Sequence, residues 1–396
     1  MMKIRHASAR LQDVSISAVI AGFVSVLVGY SSAAVIVFQA AQALGATEAE
    51  IASWMWALGI GLGLTTILLS LRYRAPVVTA WSTPGAAMLI TSAANVSLAE
   101  GVGAFLIAAG LITICGLSGW FERAMSRVPL SISAALLVGV LLRFGLNVFV
   151  AMETQFWMVF AMFCAYLVAY RQWSRYAVLI ALVVGMAIAA WQGNLQMHAF
   201  KLEMATPILM RPQFSLATIV GVALPLFAVT MASQNVPGVA VLRASGYDRV
   251  PISPLISWTG IATLLLAPLG AFAMNLAAIT AAICMGPEAH KDPDKRYVAA
   301  VAAGLFYLLI GIFGATVGAL FTALPQELVM AIAGLALLST IGKGLATALT
   351  QDAEREPALI TFLVTASGVT LWGIGSAFWG LVAGALVLGL MRLKPL

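Results

Sequence analysis

The sequence predicts an all-α polytopic membrane protein whose fourteen crossings form two inverted repeats of seven. Three observations predict it. The 396 residues are 62% hydrophobic and only 9% charged, whereas a soluble surface needs about 25% charged residues, so most of the exterior must face hydrocarbon. The basic residues fall between apolar runs with a one-sided bias. Finally, landmarks in the first half recur in the second at a spacing near half the chain.

Plausible spans are 14–42, 51–71, 76–94, 99–120, 129–147, 155–170, 176–192, 214–234, 251–267, 269–286, 296–320, 326–349, 357–374 and 377–391. The opening "MMKIRHASARLQD" is basic, but the apolar stretch after it has full spanning length and no small-residue cleavage site, so it reads as a retained first span. With the N-terminus cytoplasmic, eighteen Lys and Arg residues fall at cytoplasmic ends. Only Arg143, Lys201 and Arg211 fall outside. This positive-inside bias puts both termini in the cytoplasm. The basic residues do not cluster on a folded face, so the net charge of +6 does not imply nucleic acid.

Crossings one and eight carry polar clusters. "VGYSSAAVIVFQAAQ" supplies Tyr30, Ser31 and Ser32, and "FAVTMASQNVPG" supplies Thr230, Ser233, Gln234 and Asn235. The first cluster reads as a pocket wall or as glue between helices. The second reads as pocket or as the polar end of a span stopped by Pro237-Gly238. Crossing two aligns with crossing nine at an offset of 201, where Gly59 meets Gly260. At an offset of 192, Ala75-Pro76 meets Ala267-Pro268 and Thr83 meets Asn275. Seven spans per half invert the second copy, an arrangement of secondary transporters with a midplane site.

Crossings three and ten are interrupted. Val77–Trp81 is β-prone, and Ser82 or Thr83 can cap a helix beginning near Pro84. "GAFAM" reads as the matching extended piece, with a helix capped near Asn275. A simple kinked span is the alternative for each. Extended backbone survives in a bilayer only inside protein or beside a watery cavity. Two such strands could pair there, and the two helix starts would then offer bare N–H groups to an anion. Candidate ligand contacts are Ser82, Thr83, Gly85, Asn275, Leu276 and Ala277, with Trp81 to stack on a planar ring. Trp54, Trp56, Trp372 and Trp379 read as interfacial anchors.

The remaining elements carry less. Cys115, Cys164 and Cys284 lie in apolar surroundings and read as packing residues. Glu100, Glu122, Asp13 and Arg143 sit at span ends, and His6, His198 and His290 in termini or loops. The absence of a secure midplane carboxylate argues for an anionic substrate and against a cation carrier. No nucleophile–base pair, metal motif, phosphate loop or dinucleotide fingerprint appears, so neither an enzyme, a bound metal nor a cofactor is expected.

The stretches "AGFVSVLVGYSSAA" (21–34), "VVTAWSTPGAAML" (77–89), "LLRFGL" (141–146), "ALPLFAVTMASQNVPG" (223–238), "SPLISWTG" (253–260), "AAITAAIC" with "PEAH" (277–290) and "FLVTASGVTLWGIGSAFWGL" (362–381) resemble the benzoate:proton symporter family. The resemblance implies a bacterial inner-membrane symporter that moves benzoate or a related aromatic carboxylate with protons by alternating access. It also implies a fold like that of uracil and sulfate-type anion transporters. The first repeat (1–192) would divide into core 14–120 and gate 129–192. A loop, 193–213, would lead to the second repeat (214–396), with core 214–320 and gate 326–391. A homodimer through the gate and membrane lipid are the other partners expected. The uracil relatives carry carboxylates in segments eight and ten; "TMASQN" and "AMNLAAI" stand there in this chain, which leaves the proton carrier unassigned. A transporter or channel for another anion, or a non-transporting membrane protein, are the competing readings.

Overall fold

The computed structural model describes residues 13–92, 96–173, 176–194, 204–322, 324–371 and 375–392; side chains at 31, 32, 35, 91, 92, 314–322 and 392 fall outside the description. Among the sequence candidates, Lys3, Arg5, His6, Arg10, Arg175, His198, Lys201, Trp372 and Lys394 lie outside it as well, as do the side chains of Ser31 and Ser32.

The chain forms an all-α polytopic bundle. Its helices are α1 (Ile16–Ala43), α2 (Glu48–Tyr73), α3 (Thr83–Ser92), α4 (Leu98–Ser118), α5 (Trp120–Met125), α6 (Leu130–Thr154), α7 (Phe156–Trp173) and α8 (Ala177–Trp191). After the segment around 204–215 come α9 (Leu216–Ala244), α10 (Ile252–Leu266), α11 (Ile279–Met285), α12 (Tyr297–Thr322), α13 (Gln326–Ala348), α14 (Arg355–Ser367) and α15 (Ser376–Arg392). Seven helices among the described residues are long and apolar enough to cross a membrane. Large apolar side chains such as Leu68, Leu117, Trp157 and Leu265 point outward, as a lipid-facing surface requires.

Helix ends follow local chemistry. Thr47 with Glu50 and Ser97 with Glu100 form capping boxes at α2 and α4. Proline shapes α9 without ending it. Two π turns, Ile219–Ala223 and Met231–Asn235, stand just before Pro225 and Pro237. The wider turn makes room for a ring that would clash with the carbonyl four residues back. The helix therefore runs on to Ala244, and Pro237-Gly238 does not stop it.

The long contacts are reciprocal. α2 packs on α12, and α10 packs on α4. Glycine allows both crossings: a Cβ on Gly59 would strike the backbone of Gly311, and one on Gly260 would lie 2.8 Å from the backbone nitrogen of Thr113. α1 adds to this first bundle through α12, α11 and α3. In a second bundle α6 packs on α13 and α14, α14 on α15, and α7 on α8. One end of the molecule is tied by Asp13, which pairs with Arg74 at 2.7 Å and Lys295 at 3.7 Å. At that end Glu122 also accepts from the backbone N–H groups of Ile252 and Ser253. Two sequence readings change here. Trp54 is fully buried against Phe105 and Phe272 rather than anchoring an interface. Cys164 is exposed rather than packed inside.

The two interrupted crossings meet as β1 (Thr79–Trp81) and β2 (Met274–Leu276), an antiparallel pair that matches Thr79 with Leu276, Ala80 with Asn275 and Trp81 with Met274. Neighbouring helices satisfy their backbones, as buried extended chain demands. Thr79 N–H donates to Thr66 Oγ1 (3.1 Å), and the Thr79 hydroxyl lies 2.7 and 2.9 Å from those of Thr65 and Thr66. On the other strand, Met274 N–H donates to Thr263 Oγ1 and Leu276 N–H to Asn235 Oδ1. Ala277 N–H closes on Val78 O at 2.9 Å.

Candidate functional site

Strands placed back to back leave their following half-helices, α3 and α11, to start on either side of one space. That space is a cavity of ≈ 400 Å³, within the range of about 300–1,000 Å³ typical of small-ligand sites. α1 contributes Val28, Gly29 and Ala33; the first interruption contributes Ala80, Trp81, Thr83, Pro84 and Ala87. Ala277, Ala278, Ile279 and Thr280 come from the second, Gln234 from the π turn of α9, Phe144 from α6 and Tyr307 from α12. No charged residue is among these lining residues.

Rings and amides divide the wall. Trp81 is held by Tyr30, whose ring meets it edge-on at 4.9 Å with planes 81° apart. Tyr30 is itself 1% exposed, so it braces the ring from behind and does not line the cavity. Of the other candidates, Trp81, Thr83, Gln234 and Ala277 line the space. Ser82 is buried, and its hydroxyl accepts from Gly85 N–H at 3.1 Å, making it the cap of α3. Gly85 is a packing position, since a Cβ there would come within 2.7 Å of Leu226 and 2.8 Å of the Ser82 hydroxyl.

Asn275 needs a correction. The sequence reading makes it the cap of the second half-helix; instead it sits fully buried in β2, and the helix starts at Ile279. Its Nδ2 donates to Ala273 O at 2.9 Å, and Ala273 holds a positive φ of 39°. Asn275 thus supports a bend that an alanine adopts only under strain. Leu276 is likewise buried in the strand and does not reach the cavity. The paired strands start 195 positions apart (274 − 79) and the half-helices 196 (279 − 83), so Asn275 corresponds to the strand residues Thr79–Ala80 and not to Thr83.

The sequence reading misses Thr280, Tyr307 and Phe144. Thr280 lies in the first turn of α11; its hydroxyl is buried beside the Tyr307 hydroxyl and closes no well-aligned hydrogen bond among the described residues. Ala278, the residue before α11, offers no side-chain cap. The start of α11, uncapped by a side chain, therefore lines the cavity together with the rings of Trp81, Phe144 and Tyr307. Such an arrangement can hold a small anion with a flat apolar body, the anion at the positive end of the helix.

A half-open cavity with no charged lining residue, set between the interrupted crossings of a polytopic bundle, is the kind of site that a membrane transport protein carries. The chain belongs to the family described as BenE, benzoate membrane transport protein, whose sequence model matches residues 12–390. It is 48% identical over 375 residues to the inner membrane protein YdcO of Escherichia coli (strain K12), covering 95% of this chain and 96% of that one. To the benzoate membrane transport protein of Acinetobacter baylyi it is 43% identical over 384 residues, covering 97% of each. The structure titled "The overall structure of SLC26A9" shares the fold, with a TM-score of 0.50 at 13% identity over 97% of this chain and 66% of that one. Family membership makes the protein a transporter and not an enzyme.

Proposed function

We infer that this protein moves benzoate or a related aromatic carboxylate into the cell together with protons, by alternating access in the bacterial inner membrane. The observation that carries this reading is a cavity lined by the uncapped start of α11, at Ala278–Thr280, and by the Trp81, Phe144 and Tyr307 rings. The carboxylate rests at Ala278–Thr280, and the ring lies between Trp81 and Phe144. An uncharged wall suits an anion that arrives with a compensating proton.

The architecture behind this reading is fourteen segments in two inverted repeats of seven, with both termini cytoplasmic. The reciprocal crossings of α2 with α12 and α10 with α4 support it, as does the antiparallel β1–β2 pair. The first bundle acts as a core that carries the substrate, and the second as the gate against which it shifts. A homodimer through the gate is part of the same reading.

Uptake into proteoliposomes tests it, with a panel of aromatic acids, uracil and sulfate under an imposed pH gradient at clamped membrane potential. Benzoate should accumulate only when protons are driven inward. Equal handling of uracil or sulfate, or conduction without accumulation, would overturn the reading.

A further inference from the structure

Among the described residues no carboxyl or imidazole lines the cavity, but one buried carboxyl lies at the other end of α11. Glu288 is 8% exposed, in the turn that follows the half-helix. Both of its oxygens are sealed from solvent with no hydrogen-bond partner among the described residues. It lines a small cavity of ≈ 10 Å³ with Ser17 of α1, Ile283 of α11, Val178 and Leu179 of α8, and Ala336 of α13, about the space of a single water. Core helices α1 and α11 thus meet gate helices α8 and α13 on this carboxyl.

The groups facing it are few. α1 offers the Ser17 hydroxyl, already donated to Ala289 O, and α8 offers only apolar side chains. α7 presents Tyr166. From α13, Ser339 stands nearby without closing a hydrogen bond, and Lys343 supplies a positive charge at the rim. Arg296, on the same loop, spends its donors on the carbonyls of Met285 and His290. Burial raises the Glu288 carboxyl above its ordinary value, and the pull of its own backbone N–H, Ser339, Lys343 and Arg296 toward the charged form does not offset it. A carboxyl without a partner is far less costly to seal when neutral.

We propose that Glu288 is the proton-binding site of the transporter, protonated while core and gate enclose it and deprotonated when they part. The proton comes from the outer solution while the core faces outward and the inner end stays closed, and binds one carboxylate oxygen. It leaves to water once the contact opens at the end where Asp13, Arg74 and Lys295 cluster. The remaining carboxylate then faces Lys343, which compensates its charge while the empty core returns. α11 joins the two events, because its first turn lines the substrate cavity and Ile283 lines this one. The assignment rests on the proton symport proposed above.

The test compares wild type with Glu288→Gln in proteoliposomes, using two assays. In exchange of labelled for unlabelled benzoate, no net proton moves; the Gln variant should exchange at a rate close to wild type and independent of pH. Wild-type exchange should be full at low pH and fall as pH rises through the raised pKa. Under an imposed pH gradient, wild type should accumulate benzoate and the variant should not. Accumulation by Glu288→Gln equal to wild type, or loss of its exchange, overturns the assignment. If the Gln protein does not reach the membrane, Lys343→Met decides: removing the positive charge should move the midpoint of the exchange profile to higher pH, and an unmoved midpoint overturns it. A wild-type protein that exchanges benzoate but never accumulates it would remove the symport reading, while its exchange profile would still test Glu288.

Discussion

The two interrupted crossings share a plan and differ at the point that matters. In the first, Ser82 caps α3, Pro84 has no N–H to offer, and Trp81 turns its ring to the cavity. In the second, no side chain caps α11, and Thr280 lines the same space with its hydroxyl beside that of Tyr307. The strands are equivalent; the helix starts are not. The comparison teaches that a pair of inverted half-helices need not bind a ligand symmetrically. In the function proposed above, one start is capped by its own side chain and supplies a wall, and the other leaves its amides to the substrate.

The largest expected effect that separates the two sides comes from Thr280→Val. It keeps the shape and removes the hydroxyl. A hydrogen bond to a charged group is worth about 1.5–3 kcal/mol, so the half-saturation concentration for benzoate uptake should rise at least about tenfold. A matching rise in Ser82→Ala would break the division between the sides.

Gly85→Ala comes next and acts on stability. Its Cβ would press on Leu226 and on the Ser82 cap, and overpacking of this kind costs about 1–3 kcal/mol. Thermal unfolding in detergent should show a lower midpoint. Ser82→Ala is smaller, about 1 kcal/mol for a lost cap, read by the same unfolding assay, with half-saturation unchanged. Asn275→Leu sharpens the comparison from the other side. It should weaken the Ala273 bend and lower the unfolding midpoint, while surviving protein keeps its half-saturation value. A large loss of benzoate affinity at normal stability would return Asn275 to the site.

These contrasts also mark what a linear reading could reach. The interruptions were legible because Pro76, Pro84 and the β-prone run before Ser82 break a helix wherever they stand. Trp81 and Thr83 lie on the first break and Ala277 on the second, whereas Gln234 is legible only as part of the polar cluster in crossing eight. The register of the second copy was not legible. Matching Ala-Pro pairs suggested an offset of 192, whereas the helix starts differ by 196, because α10 ends in a short turn over Ala267–Leu269 before the strand begins. Asn275 resembles a cap in sequence only because nothing there shows that its amide braces Ala273. Thr280 looks like any threonine in an apolar helix until its place in the cavity wall is seen. Phe144 and Tyr307 reach the cavity through packing between distant helices. Pro237-Gly238 misleads in the opposite sense, since a π turn before the proline lets α9 continue. Glu288 lies at a span end, where a charged residue is ordinarily solvated; only tertiary packing seals it.

The account depends on where an aromatic acid places its carboxylate. A crystal of the protein soaked with 4-bromobenzoate answers this, with the anomalous signal of bromine fixing the ring. The carboxylate should lie about 2.7–3.2 Å from the Thr280 hydroxyl and the amides at the start of α11, with the bromine between Trp81 and Phe144. A carboxylate found at the first turn of α3, or an acid bound outside this cavity, would contradict the account.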